Sequence, residues 1–408
     1  MPTWEFALGD TSGGASLGSN QIRFYALAGR LAAEATEANS QTKVFSSYTW
    51  ANLYVRVRTK TFVGNVTIQN RIGGVTGNML ATLTGTGVFQ DTVNTDSLVS
   101  GNLVGFQYDT PTEVGETASL TVLGSTLQDT STNATLAVGC GGAPLVAFGL
   151  TRFTAIGGFI GAASALATTE TTIQYTLRRA TTFTNLRVRI ATNNINTGTS
   201  VWSFRIDVAD GAQTLSINAA ATGAFEDTTN SDAVSVGSEV NTQVITSGAS
   251  GNLGPKLVQL AHISTGREVM TASNSPGATS TDQYYGAEAD QADDVTESNA
   301  QIAARAAFTA SNLFVNVTVH GASSGADIFL RQNGGNSALT VNVPSGNTGL
   351  FEDTTSSVSI AVADTYNYFL DHGGGAGGIT PAIIGFANGP TDAIGDLPQG
   401  KLNVLLRM

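Results

Sequence analysis

The pattern Gly-x-Phe-(Gln/Glu)-Asp-Thr occurs three times: GVFQDTVN from Gly87, GAFEDTTN from Gly223 and GLFEDTTS from Gly349. Its phenylalanines, Phe89, Phe225 and Phe351, stand 136 and 126 residues apart. Other landmarks keep step. Thr-Glu-x-x-x-Gln begins at Thr36, Thr169 and Thr296, and sixteen residues after each threonine comes Asn-Leu, at Asn52, Asn185 and Asn312. A proline precedes a late apolar run in each copy, at Pro144, Pro255 and Pro381. Repetition on this scale is read before any local motif. A unit of about 125 residues is too long for a solenoid repeat and long enough to bury its own core. The 408 residues therefore read as three tandem domains, 1–150, 151–265 and 266–408, strung into a rod or plate. One core running on through the joints is not expected of such a chain.

The Asn-Leu segments set the fold class. In NLYVRVRT, NLRVRIAT and NLFVNVTV, every second residue is apolar: Leu53, Val55 and Val57, then Leu186, Val188 and Ile190, then Leu313, Val315 and Val317. Period two with one apolar face marks a strand of an antiparallel sheet that covers a core on one side. Turn signals follow at Gly73-Gly74, Asp210-Gly211 and Asn333-Gly334-Gly335. LAAEATEAN after Arg30 has helical propensity, but its alignment with TTETT and VTESN points to a loop and strand. Counting strands gives roughly eight per unit. The fold is all-β, three antiparallel sandwiches, with a jelly roll preferred to an immunoglobulin-like sandwich. From the motif phenylalanine to the late proline, units two and three need 30 residues and unit one needs 55. The surplus reads as an extra hairpin at about 103–140, and as a contact surface.

The triplicated motif is first an architectural element. Glycine frees the backbone, phenylalanine plugs the sandwich end, and Asp-Thr bonds the turn. The competing reading is a cation or sugar site on Asp91, Asp227 and Asp353, with Asp96 and Asp232 as second carboxylates. The third copy has Val358 there, which weakens the metal reading. GASSG at Gly321 and HGGG at His372 mimic a serine hydrolase, but the first joins two strands, and a nucleophile elbow needs a strand-to-helix turn. GGGAGG at Gly373 has no helix after it to cradle a phosphate. His262, His320 and His372 share no place in the repeat, and Cys140 reads as a loop or buried thiol. The acidic stretch DQYYGAEADQADD at Asp282 reads as a solvated connection rather than a calcium site. Asn65, Asn133 and Asn316 open glycosylation sequons, meaningful only in a secretory pathway.

Composition narrows the partners. A net charge of -12 with four lysines argues against nucleic acid. A single cysteine excludes an internal disulfide and a cysteine-based zinc site. No apolar run is long enough to span a membrane, and the first residues carry no signal-peptide pattern. No cofactor is called for.

NLRVRIAT, followed by an aromatic strand with a Gly turn and then by GAFEDTTNSDAVSVGSEVN, resembles the Thr/Gly-rich jelly-roll modules of tailed-bacteriophage virion proteins. About 80 residues of each unit carry the resemblance. It implies a non-enzymatic structural protein of the virion, on the capsid surface as a decoration, cement or minor capsid protein. It implies the major capsid protein or other virion proteins as partners, assembly in the host cytoplasm, and a homo-oligomer, trimers being common. Two other readings stay open: a tail or head fibre gripping glycans through exposed aromatics such as Trp50, Tyr284 and Tyr285, and a cell-surface or filament subunit.

Overall fold

The computed structural model describes residues 3–9, 15–30, 33–129, 135–140, 145–159, 166–177, 180–264, 267–272, 279–287, 294–304 and 307–389. The first unit has eight principal strands: β1 (Thr3–Gly9), β2 (Ile22–Tyr25), β3 (Tyr48–Lys60), β4 (Val66–Ile72), β5 (Val75–Leu83), β6 (Gly87–Leu98), β7 (Leu103–Asp109) and β8 (Ala118–Asp129). They pair antiparallel as two sheets, β1-β8-β3-β6 and β2-β7-β4-β5. That order is the eight-stranded jelly roll, so the immunoglobulin-like alternative falls.

The second unit repeats the order with β9 (Thr135–Cys140), β10 (Thr151–Thr154), β11 (Thr181–Asn193), β12 (Thr199–Ile206), β13 (Ala209–Asn218), β14 (Gly223–Glu226, resumed at Ser231–Val234), β15 (Glu239–Ile245) and β16 (Asn252–Ser264). The third does so with β17 (Arg267–Ala272), β18 (Gln283–Tyr285), β19 (Phe308–His320), β20 (Ala326–Gln332), β21 (Gly335–Val343), β22 (Gly349–Ile360), β23 (Thr365–Asp371) and β24 (Ile379–Gly389). Among the described residues, LAAEATEAN and its counterparts hold short helical turns, Glu37–Asn39, Glu170–Thr172 and Glu297–Ala300.

Strand pairing corrects two expectations. β9 pairs with β16 from Thr135↔His262 to Cys140↔Leu257, so the first break falls between Asp129 and Thr135, earlier than 150. The second falls between Ser264 and Arg267. The described residues of unit one hold no extra hairpin. Residues 103–129 are β7 and β8, which every unit possesses. Pro144, which lies outside the described residues, was the wrong landmark. Pro255 faces Ile190 and Pro381 faces Val317, and the residue in that place in unit one is Leu120, facing Val57. Each of the three sits at a register shift. There the ladder is irregular and a missing N–H costs little, so proline is tolerated inside a central strand.

Each sandwich is closed by aromatic contacts between its facing sheets. Ring centroids are 5.4 Å apart for Trp50 and Phe106, 4.7 Å for Phe183 and Phe204, and 5.4 Å for Phe308 and Tyr366. Burying a ring of this size stabilises by roughly 3 kcal/mol. Trp50 is fully buried and its indole N–H donates to Ser125 Oγ at 2.7 Å. The buried side chains do not stop at the unit boundaries. They form one cluster through all three units, against the expectation of separate cores.

The repeated Asn of Asn-Leu has a backbone cause. Asn52, Asn185 and Asn312 have φ of 56°, 56° and 52°, the left-handed region that asparagine tolerates best after glycine. Each stands at the bulge where β3, β11 or β19 passes the Asp-Thr motif.

Candidate functional site

The triplicated motif lies along a strand, which in unit two is interrupted between Glu226 and Ser231. Phe89 pairs with Val55, Phe225 with Val188 and Phe351 with Val315. These rings are half-buried against the core along the sandwich edge, where an end plug was expected.

The aspartates are buried and fully engaged. Asp91 accepts Val93 N and Asn94 N on Oδ1, and Leu80 N and Asn94 Nδ2 on Oδ2, all within 3.1 Å. Asp227 accepts Thr229 N, Thr229 Oγ1 and Asn230 N on one oxygen, and Thr214 N and Asn230 Nδ2 on the other. Asp353 accepts Thr355 N, Thr355 Oγ1 and Ser356 N, and Thr340 N from β21. Burial alone would raise these carboxyls. The N–H donors outweigh it, hold Asp91 below its ordinary value, and bring Asp227 and Asp353 down to about 2. A carboxylate facing this many donors presents no lone pairs to a cation. Its work is to hold the bulge and tie it to β5, β13 or β21 in the opposite sheet.

The second carboxylates do the same. Asp96 accepts Asn70 Nδ2 at 2.8 Å and Asn78 N at 2.9 Å. Asp232 accepts Ala212 N at 2.6 Å and Gln213 N at 3.1 Å. Unit three, with Val358 packed on the core instead, satisfies Leu339 N with Ser337 Oγ. Asp210-Gly211 is therefore no turn. The turn is Asp207-Val208, and Gly211 lies in β13, where a Cβ would sit 2.8 Å from the Asp232 carboxylate.

A second triplicate was not singled out from the sequence. The glutamate of each Thr-Glu landmark grips an arginine beside the β4–β5 type of turn: Glu37 with Arg71, Glu170 with Arg205, and Glu297 with Arg331. Both carboxylate oxygens engage, and the arginine also donates to the turn carbonyl of Gly74, Val208 or Gly334.

The hydrolase-like motifs do meet, as backbone glue. Ser324 Oγ donates to His372 O and accepts Gly375 N, and Ser323 Oγ accepts Ala376 N. His372 is buried with Nε2 on Gly377 O. His320 is buried with Nδ1 accepting Gly346 N. Side chains of Cys140 and His262, residues 288–293 of the acidic stretch, and Asn133 lie outside the described residues. Trp50 and Tyr285 are fully buried and Tyr284 is stacked on Phe369 at 4.8 Å, so none is an exposed glycan platform.

The arrangement that stands out is between units. The outer face of the Asn-Leu strand, which alternation assigns to water, is a docking surface. Segment 34–43 of unit one lies on that face of unit two. Lys256 Nζ meets Glu34 Oε1 at 2.6 Å, Arg189 Nε donates to Asn39 Oδ1 at 3.2 Å, and Lys43 Nζ meets Glu226 Oε2 at 2.7 Å. The Gln259 amide pairs with the Lys43 backbone at 3.1 and 3.2 Å. Arg187 Nη1 donates to Gln41 O and to Gln259 Oε1. Arg187 is 4% exposed, and its burial lowers the guanidinium pKa while the Glu226 charge opposes that.

The equivalent segment 167–176 of unit two lies on the same face of unit three. Tyr175 packs on Phe314 at 5.4 Å, and Asn316 Nδ2 reaches Thr171 O at 3.5 Å. Segment 294–303 of unit three returns to unit one. Asp294, in the place of Glu34, meets Arg58 Nη1 at 3.3 Å, and the turn Glu297–Ala300 packs on β8. One to two, two to three and three to one are the same head-to-tail contact. A heterologous interface that returns to its start closes a ring, so the chain is a pseudo-threefold ring and not a rod.

No protein-family model matches the chain, and no curated protein sequence matches it.

Proposed function

We propose that the chain is a non-enzymatic structural protein of a virus particle, seated on the capsid surface of a tailed bacteriophage with the major capsid protein as partner. The supporting observation is the ring of three jelly rolls built inside one chain. Its repeated polar motifs are consumed by the fold: Asp91, Asp227 and Asp353 by backbone donors, Glu37, Glu170 and Glu297 by arginines. Nothing triplicated is left over for chemistry among the described residues, while three equivalent surfaces are held in fixed relation. Such a body suits assembly onto a larger lattice.

Immunogold electron microscopy of particles from the source tests the reading. Label on the shells is the expected result. Label confined to tail fibres would move the protein to the fibre reading, and label on free filaments to the cell-surface one.

A further inference from the structure

We infer that a single chain binds a threefold-symmetric partner through three equivalent turn tips. This rests on the particle reading above and adds the geometry of the contact.

The three joints are equivalent, so equivalent parts of the units lie at one height and one radius about the pseudo-threefold axis. One end of every unit carries two neighbouring turns, between the fourth and fifth strands and between the sixth and seventh. They are held side by side by Gly73 N to Leu103 O, Asp207 N to Glu239 O and Asn333 N to Thr365 O, at 2.7 to 2.8 Å. The second turn is also tied to the docking segment. Val44 and Gly101–Asn102 exchange two backbone bonds, as do Leu177 and Gly237–Ser238, and Ala304 and Ala363–Asp364. The tips are thus rigidly coupled to the joints.

Each tip exposes a valine, at neighbouring rather than matching positions: Val236 and Val362 share one place in the turn, where unit one has Ser100, and Val99 stands one residue earlier, where units two and three have Ser235 and Ala361. Val99 is 59% exposed, Val236 61% and Val362 61%. Val75 and Val208 add to the tips of units one and two. Val208 has φ of 61°, a region that disfavours β-branched side chains and that units one and three fill with Gly74 and Gly334. An exposed valine held in that conformation has no packing role in its own unit. Three apolar tips set about one axis match a partner whose own apolar pockets repeat three times, such as a threefold or local threefold axis of the shell. The trimer expected of such modules is supplied by one chain, so each site takes a monomer.

The experiment is co-sedimentation of the purified full chain with shells assembled without it. The unaltered chain binds. V99D, V236D and V362D each weaken binding by a similar factor, about tenfold, the loss of one buried valine contact. The triple variant does not bind, yet keeps the unaltered chain's monomer mass and melting temperature. Binding that ignores all three changes, or responds to only one, overturns the threefold contact and leaves the particle reading standing. Failure of the unaltered chain to bind overturns both. A triple variant that unfolds would be replaced by V99S, V236S and V362S, with the same outcomes decisive.

Discussion

The joint between units one and two and the joint between units two and three use the same pair of surfaces with opposite chemistry. The first is charged and polar: Lys256 on Glu34, Lys43 on Glu226, and buried Arg187 on Gln41 and Gln259. In the second, Phe314 stands where Arg187 does and Tyr175 packs on it. The place of Glu34 is Ala167, and the place of Lys256 is Ala382. Among the described residues, the third joint has the ion pair of Asp294 with Arg58. Geometry is thus set by the jelly roll and its docking segment, and each joint fills it differently. Unlike joints also specify order: a segment shaped for Arg187 does not suit Phe314, so units cannot exchange neighbours without leaving charge buried.

This contrast can be broken from either side. The largest effect belongs to the aromatic joint. F314A removes a ring that is 2% exposed and lowers stability by about 3 to 4 kcal/mol. Denaturant unfolding measures it, and the loss is the same at low and high salt.

R187A in the polar joint removes the buried stem, the donor to the Gln41 carbonyl and one of the two donors on Gln259 Oε1, costing about 2 to 3 kcal/mol. R187M, which keeps the stem packing, recovers part of it. A loss in F314A that is salt-sensitive, or a loss in R187A below that of a surface change, would erase the distinction.

Next come the internal carboxylates. Asp227 and Asp353 titrate at about 2 in the folded chain against an ordinary value of 3.8. A depressed folded pKa gives stability that is complete above the unfolded pKa and is lost as pH falls toward the folded one. Each contributes on the order of 1 to 2 kcal/mol above about pH 5, lost between about pH 4 and pH 2. D227N and D353N should flatten the acid limb of the stability curve. An unchanged limb would contradict the bonding described.

The smallest effect is K256M, whose partner Glu34 is only partly buried. It costs below about 1 kcal/mol at low salt and almost nothing near 1 M NaCl.

Much of this fold could be read from residues. Leu53, Val55 and Val57 and their counterparts placed the central strand and its buried face, because period two survives any neighbour. Asn52, Asn185 and Asn312 fell at a fixed offset because a left-handed position admits few residues. The errors have physical causes as well. Pro144 resembled Pro255 and Pro381 because a proline before an apolar run is common in loops and strands alike. The residue that shares their bulge is Leu120, which carries no such signature. Asp210-Gly211 looked like a turn, yet its glycine lies in β13 beside Asp232. The outer residues Tyr54, Arg187 and Phe314 read as solvent-facing because alternation reports only on a residue's own sheet. What docks there comes from another unit, and nothing in the local pattern records it. The motif aspartates bond the bulge and the facing strand, and their place along a strand depended on bulge geometry that spacing does not carry.

The central claim is that three jelly rolls close into a ring within one chain. Small-angle X-ray scattering of the monodisperse protein tests it most directly. A closed compact chain of this length has a radius of gyration of about 22 Å with the mass of one chain. Three such units strung end to end would exceed about 30 Å, and that value at monomer mass would contradict the ring.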